Sequence, residues 1–258
     1  MSECKEIIVS ENAGVLEISI QRPERKNALT HAMYTAINGA FERAESESSI
    51  RALLITGTQD CFTAGNDMVD FLQNPPIGDE APVMILLGKL AKFTKPLIAA
   101  VNGPAVGIGT TLLLHCDLVY LGASAKLQMP FTSLGLCPEA GSSYLLPLLI
   151  GHQRAAELLM LGETMGAQRA CELGIANSVL ADDEYLQHAR QQAARIVGQP
   201  AAAVRLTKEL MRSAFNERLH AHMKVEGDAF AKRLVSPEAQ EAMQAFMQKR
   251  KPDFSQFD

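Results

Sequence analysis

A single carboxylate, Glu139, stands in the stretch LCPEAGSSYLLP (residues 136–147), between a proline and a small-residue run that leads into apolar sequence. On that stretch alone the favoured role is helix punctuation, because Pro138 suits a first helical turn and a neighbouring acid complements the positive end of the helix dipole. Two upstream loops, FTAGNDM (62–68) and GPAVGIG (103–109), offer a chemical alternative. A Gly- or Ala-rich loop that opens a helix leaves backbone N–H groups unpaired and lets another group approach closely. Two such loops on neighbouring parallel strands aim two donors at one oxygen, although the small residues Ala64, Gly65, Gly107 and Gly109 equally serve tight packing. Paired donors on a carbonyl oxygen stabilise an oxyanion or enolate. A carboxylate with an ordinary pKa of about 4 removes a proton beside a thioester carbonyl only where the site stabilises the enolate. Glu139, at a loop-to-helix junction after the next strand, is the candidate base.

Other chemistries find little support. GPAVGIG has the spacing G-x-x-x-G-x-G, not the dinucleotide fingerprint, and neither a Walker loop nor a G-x-S-x-G elbow occurs. The six histidines lack H-E-x-x-H spacing, and the five cysteines are far apart without a C-x-x-C pair, so no metal is expected and a reducing compartment fits. Net charge is −5, which leaves no broad cationic face for a nucleic acid. The first residues lack the basic and apolar regions of a signal peptide, the end SQFD is not a common address, and no apolar run approaches the roughly 18 residues of a membrane span. A cytoplasmic protein is expected.

The elements that must position Glu139 and the loops are legible in outline. With 258 residues, 47% hydrophobic and 21% charged, the chain is long enough for one large domain, with or without an appendage. Residues 6–20 read as a hairpin around Asn-Ala-Gly, its second strand alternating Leu16, Ile18 and Ile20 against Val15, Glu17 and Ser19. A helix from about Thr30 carries Met33, Ile37, Ala40, Phe41 and Ala44 on one stripe. Two strand-loop-helix units follow, RALLITG–TQDCFTAGND–MVDFLQ and KPLIAAVN–GPAVGIG–TTLLLHCD, then a strand DLVYLGA and a short piece KLQM. That order predicts a parallel α/β layer. From Gly151 onward the chain reads as mostly helix.

Taken together, FTAGNDM, KPLIAAVNGPAVGIGTTLLLHCDLVY (95–120) and PFTSLGLCPEAGSSYLLP (130–147) resemble the enoyl-CoA hydratase/isomerase, or crotonase, superfamily in order and spacing. The likeness runs from QRPERKNAL (21–29) to the tail QKRKPDF. It implies an α/β fold, a spiral of ββα units over 1–198 followed by a helical trimerisation region over 199–258, and a homotrimer or dimer of trimers. It implies that the substrate is an acyl-CoA, with no separate cofactor. The backbone N–H groups of Asn66 and Ile108 map to the donors that bind the thioester oxygen. CoA recognition maps to Ala28, to Ala64, Gly65, Asn66, Asp67 and Met68, and to Gly107, while Phe246 and Lys249 match tail positions that reach a neighbouring subunit's CoA; the basic cluster at 249–251 is equally a solvated end.

The departures choose among activities. Typical hydratases of the family use two glutamates; here those positions read Thr111 and Phe131, neither a carboxylate acid or base. Glu139 falls where peroxisomal-type Δ3,Δ2-enoyl-CoA isomerases carry their base. The resemblance therefore implies an isomerase of fatty acid β-oxidation that uses Glu139 as its one proton shuttle. A hydratase is the alternative enzyme, and a non-catalytic acyl-CoA-binding protein the alternative of another class. Met68, Phe71, Leu72 and the segment 73–90 are candidates to line an acyl pocket, or to pack as ordinary amphipathic helices.

Overall fold

The computed structural model describes residues 4–76 and 78–257. It opens with the expected hairpin, β1 (Ile7–Asn12) and β2 (Val15–Ile20), turned at Ala13-Gly14. Leu16, Ile18 and Ile20 are buried while Val15, Glu17 and Ser19 are half-exposed, as period-two alternation requires. Thr30 caps α1 (His31–Ser46) by accepting from Met33 N–H, and the predicted stripe faces the core. Then come β3 (Ala52–Thr56), α2 (Met68–Gln73), α3 (Pro82–Lys92) and β4 (Leu97–Val101).

β3 and β4 are buried at every position, the signature of parallel strands covered on both faces. Their side chains divide by parity: Leu53, Ile55, Leu97, Ala99 and Val101 join the core under α1 and α3, whereas Ala52, Leu54, Ile98 and Ala100 pack on the other face. That second face is covered by α8 (Tyr185–Val197), which brings Tyr185 and the small residues Ala189 and Ala193 onto the sheet.

GPAVGIG is not all loop. Residues 104–106 form β5, and α4 (Ile108–Thr111) starts directly after Gly107. A 3-10 turn continues it over Leu112–His115 before β6 (Leu118–Gly122) and β7 (Lys126–Gln128). Gly103 makes the corner from β4 into β5: its φ is +61° and a Cβ there would lie 2.0 Å from Asp60 O, so only glycine fits.

The C-terminal part is helical in the main, with α5 (Ser142–Ile150), α6 (His152–Ala156), α7 (Ala167–Glu172), α8, α9 (Ala201–Ser213), α10 (Asn216–Leu234) and α11 (Pro237–Met247). Two short strands depart from the helical expectation, β8 (Met165–Gly166) and β9 (Ser178–Leu180). They have too few residues to show an alternation, and only their partners define them. The six-stranded sheet runs β1-β2-β3-β4-β6-β9 and a three-stranded sheet runs β5-β7-β8. With β1–β2 antiparallel and the rest of the large sheet parallel, this is the mixed α/β architecture expected, ending in a helical region. No helix among the described residues is long and apolar enough to cross a membrane.

Candidate active site

The site is built from three loops that the small β5 strand draws together. Thr63 bridges to Ala105 and Leu29 bridges to Asn66, so the segments around 28, 64 and 105 lie side by side. Ala64 N–H donates to Lys26 O at 2.9 Å and Leu29 N–H to Gly65 O at 2.8 Å. Asn27, fully buried with φ at +55°, stitches the same corner: its side-chain N–H donates to Cys61 O at 2.7 Å and its Oδ1 accepts from Arg22 N–H. Gly65, at φ +87°, lies so close to β5 that a Cβ would stand 3.0 Å from Val106 O.

Neither Asn66 N–H nor Ile108 N–H donates to a protein group among the described residues. Ile108 is the first residue of α4, where no preceding helical turn exists to supply an acceptor. Asp67 closes the first loop from below. Its Oδ1 caps α2 by accepting from Val69 and Asp70 N–H, and its Oδ2 accepts from Arg22 at 2.7 Å. Burial alone would raise the Asp67 carboxyl, but the guanidinium and the helix N–H groups hold it below its ordinary range.

Glu139 lies before α5, not in it. The helix begins at Ser142, so Pro138 is not its first-turn proline and the punctuation role is overturned; Ala140 and Gly141, at φ +59° and +70°, turn the chain between carboxylate and helix. Thr111 explains where the side chain goes. Fully buried, one turn along α4 from Ile108, it donates its hydroxyl proton to Glu139 Oε1. Surrounded by protein on most sides, the Glu139 carboxyl is pushed up to about 7, chiefly by burial; the Thr111 hydrogen bond opposes the rise and the charge of Glu226 adds to it.

Tyr34 completes the cluster. Its hydroxyl donates to Asn66 Oδ1 at 2.5 Å, and its proton is held tightly, by burial first and by the charges of Glu139 and Asp70 next. Tyr34 also lines a cleft with Leu29, Asn66, Phe71 and Val83, so Phe71 and the start of α3 stand beside the site. Leu72 instead points to solvent, and Met68 packs with Phe71, Leu234 and Met243. Ile77, within the segment proposed to line the pocket, lies outside the described residues.

The structure thus brings Glu139, Asn66, Ile108, Ala28, Ala64, Gly65, Asp67 and Gly107 to one corner. It does not bring Phe246 or Lys249 there: both are exposed, at the end of α11 and just beyond it. Phe131 is buried, at 5% exposure. Sequence reasoning missed Tyr34 and the partnership of Thr111. Tyr34 follows the core residue Met33 and carries no motif, and in sequence Thr111 reads only as a replaced glutamate. Among the described residues no cluster of three or more His, Cys, Asp or Glu is placed to hold a metal ion.

Known proteins share this chain's fold and most of its length. The model of the family described as "Enoyl-CoA hydratase/isomerase" matches residues 10–257. "Enoyl-CoA delta isomerase 2" of Homo sapiens is 35% identical over 251 residues, 95% of this chain, which spans 64% of the human protein's length. "2,3-dehydroadipyl-CoA hydratase" of Escherichia coli K12 is 33% identical, covering 96% of this chain and 98% of its own. Among solved structures, OdaA of Pseudomonas aeruginosa superposes with a TM-score of 0.92 at 49% identity, covering 94% of this chain and 99% of that one. A sequence match over nearly the whole length, with the fold shared at this identity, makes the chain a member of the enoyl-CoA hydratase/isomerase, or crotonase, family.

Proposed function

We propose that the protein is a Δ3,Δ2-enoyl-CoA isomerase, converting 3-enoyl-CoA to the 2-trans isomer in fatty acid β-oxidation. The observation that carries this reading is the Glu139 carboxylate, held by Thr111 one turn from the unpaired Ile108 N–H. The thioester oxygen accepts from Asn66 and Ile108 N–H. Glu139 takes a proton from C2, the C2–H electron pair moves into a C1–C2 double bond as the carbonyl π pair shifts to the thioester oxygen, and the C3–C4 double bond stays conjugated with it as a dienolate. Glu139 then returns the proton to C4: the C3–C4 π pair takes it, the C1–C2 pair moves to C2–C3 and the thioester carbonyl re-forms. One carboxylate completes the cycle, and a carboxylic acid pushed up to about 7 is well matched to both halves of it.

The CoA thioester is itself the substrate and no cofactor takes part; Ala28, the 64–68 segment and Gly107 receive its CoA moiety by close backbone approach. Helices α9–α11 form the trimerisation region of 199–258, and the exposed Leu206, Leu210, Met211 and Phe246 give that region apolar surface to cover. In a trimer or dimer of trimers, Phe246 and Lys249 serve a neighbouring subunit's CoA. Five free thiols fit a cytoplasmic setting.

The hydratase relative supports a second reading, in which the same oxyanion site adds water to 2-enoyl-CoA. Thr111 and the Phe131 ring stand against it, because water addition needs a second group to hold the nucleophile. Matched assays on 2- and 3-enoyl-CoA separate the two. The 3-enoyl substrate is expected to give conjugated 2-trans product, kcat/KM rising with pH through about 7 as Glu139 ionises. Glu139→Gln is expected to lower kcat by about a thousandfold or more. Efficient formation of 3-hydroxyacyl-CoA, or undiminished isomerisation by Glu139→Gln, would sink the assignment.

A further inference from the structure

The proton shuttle depends on a turn that Glu139 does not hold by itself. Ala140 is a non-glycine residue in the left-handed region, followed by a second left-handed residue, a conformation that persists only when its surroundings over-determine it. Two buried side chains grip the peptide that joins these residues. Its carbonyl, Ala140 O, lies 2.7 Å from His115 Nε2, and its N–H, on Gly141, donates to Glu226 Oε2 at 2.5 Å. Glu226 reaches in from α10, 6% exposed, and its other oxygen accepts from Ser143 N–H at 2.9 Å and from the Ser143 hydroxyl.

His115 can play only one part. Ala140 O accepts and never donates, so Nε2 carries the proton; burial pushes the imidazole down to about 4 and keeps it neutral, and Nδ1 has no partner among the described residues. The Ser143, His222 and Glu226 side chains superficially suggest a nucleophile triad. However, Ser143 Oγ and Glu226 Oε1 both approach the same ring nitrogen, His222 Nε2, at 2.8 and 3.8 Å, and among the described residues no acid orients the histidine from its far side.

We propose that Glu226 is a positioning residue for Glu139: from α10 it fixes the 140–141 peptide opposite His115 and so sets where the Glu139 carboxyl stands against Thr111. This rests on the reading of Glu139 as the base. The turn is a single peptide wide, so a shift of Gly141 rotates the Glu139 backbone away from Thr111. Other titratable or charged groups around the turn are Tyr34 from α1, His115 after α4, Cys137 on the turn's own segment, and His222 and Arg233 from α10. The Glu226 charge beside the site adds to burial in raising the Glu139 carboxyl.

The test compares wild type, Glu226→Gln, Glu226→Asp and Glu139→Gln in kcat, KM and pH profile. A 13C titration of the Glu139 carboxyl runs alongside, without substrate. Glu226→Gln is expected to lower kcat about tenfold with KM within about twofold, and to move both the acid limb and the Glu139 titration to lower pH by about half a unit or more. Glu226→Asp, charged but one methylene short, is expected to keep the titration in place while kcat falls. A folded Glu226→Gln with unmoved titration and wild-type kcat overturns the proposal, as does one whose only defect is a lower Tm, the mark of a mere helix cap. If Glu226→Gln does not fold, Glu226→Asp decides: lowered kcat supports the role and wild-type kcat refutes it. Full activity in Glu139→Gln sinks the base assignment instead, and the carboxyl titration still reports whether Glu226 acts on Glu139.

Discussion

Thr111 shows how one hydroxyl sets the behaviour of an acid. Its proton is the hydrogen-bond contribution that favours ionised Glu139, against burial and the charge of Glu226, which favour the protonated form. Thr111→Val keeps the shape of the side chain and removes the donor. The expected result is an acid limb of kcat/KM moved upward from about 7, opposite in direction to Glu226→Gln, with kcat lowered about tenfold because the carboxylate loses its orientation. A pH–rate profile of the purified variant reads both effects, and an unmoved limb would show that the hydroxyl does not act on the ionising group. Glu139 was legible as a candidate from the two upstream donor loops and the loss of both hydratase glutamates, since its neighbours alone favour helix punctuation, but its environment was not: Thr111 lies 28 residues before it and Glu226 87 residues after it.

Among the elements, α2 and the first donor loop are tied by Asp67. Its carboxylate caps the helix, and through Arg22, which also donates to Ala28 O at 2.9 Å, it holds the segment proposed to meet CoA. Asp67→Ala is expected to cost about 1–2 kcal/mol for the lost cap and ion pair. It is further expected to raise KM for the acyl-CoA as the 28 and 64–68 segments loosen, and to lower kcat as well, since the adjacent Asn66 carries one of the two proposed oxyanion donors. Thermal unfolding and steady-state kinetics check the two parts separately. These elements were largely readable in advance. Thr30 capping α1, the hairpin alternation and the buried runs of β3 and β4 follow from residue type and period. β5, β8 and β9 were not, since each spans three residues or fewer and exists by pairing with a distant strand.

Across the whole molecule, the C-terminal helices are fastened to the sheet and site by charged side chains, of which Lys208 and Glu226 are buried. Lys208 on α9, 4% exposed, donates to Asp117 at 2.6 Å and to Lys95 O at 2.8 Å, while Asp117 also accepts from Leu97 N–H at the start of β4. Arg233 on α10 donates to Gly135 O at 2.8 Å, and Glu226 grips the turn beyond. Lys208→Ala strands the Asp117 carboxylate and is expected to cost about 3 kcal/mol in denaturant unfolding. Adding Asp117→Asn is expected to recover part of that loss, and strict additivity of the two changes would rule out the coupling. By itself the sequence determined the parity of the strands, the capped helices, the small-residue donor loops and the presence of one candidate carboxylate, because these depend on local geometry and short periods. Only the tertiary structure decided that Glu139 stands three residues before its helix, bonded to Thr111, on a turn steadied by His115 and Glu226, because contacts between residues 25 to 85 positions apart obey packing and leave no period to read.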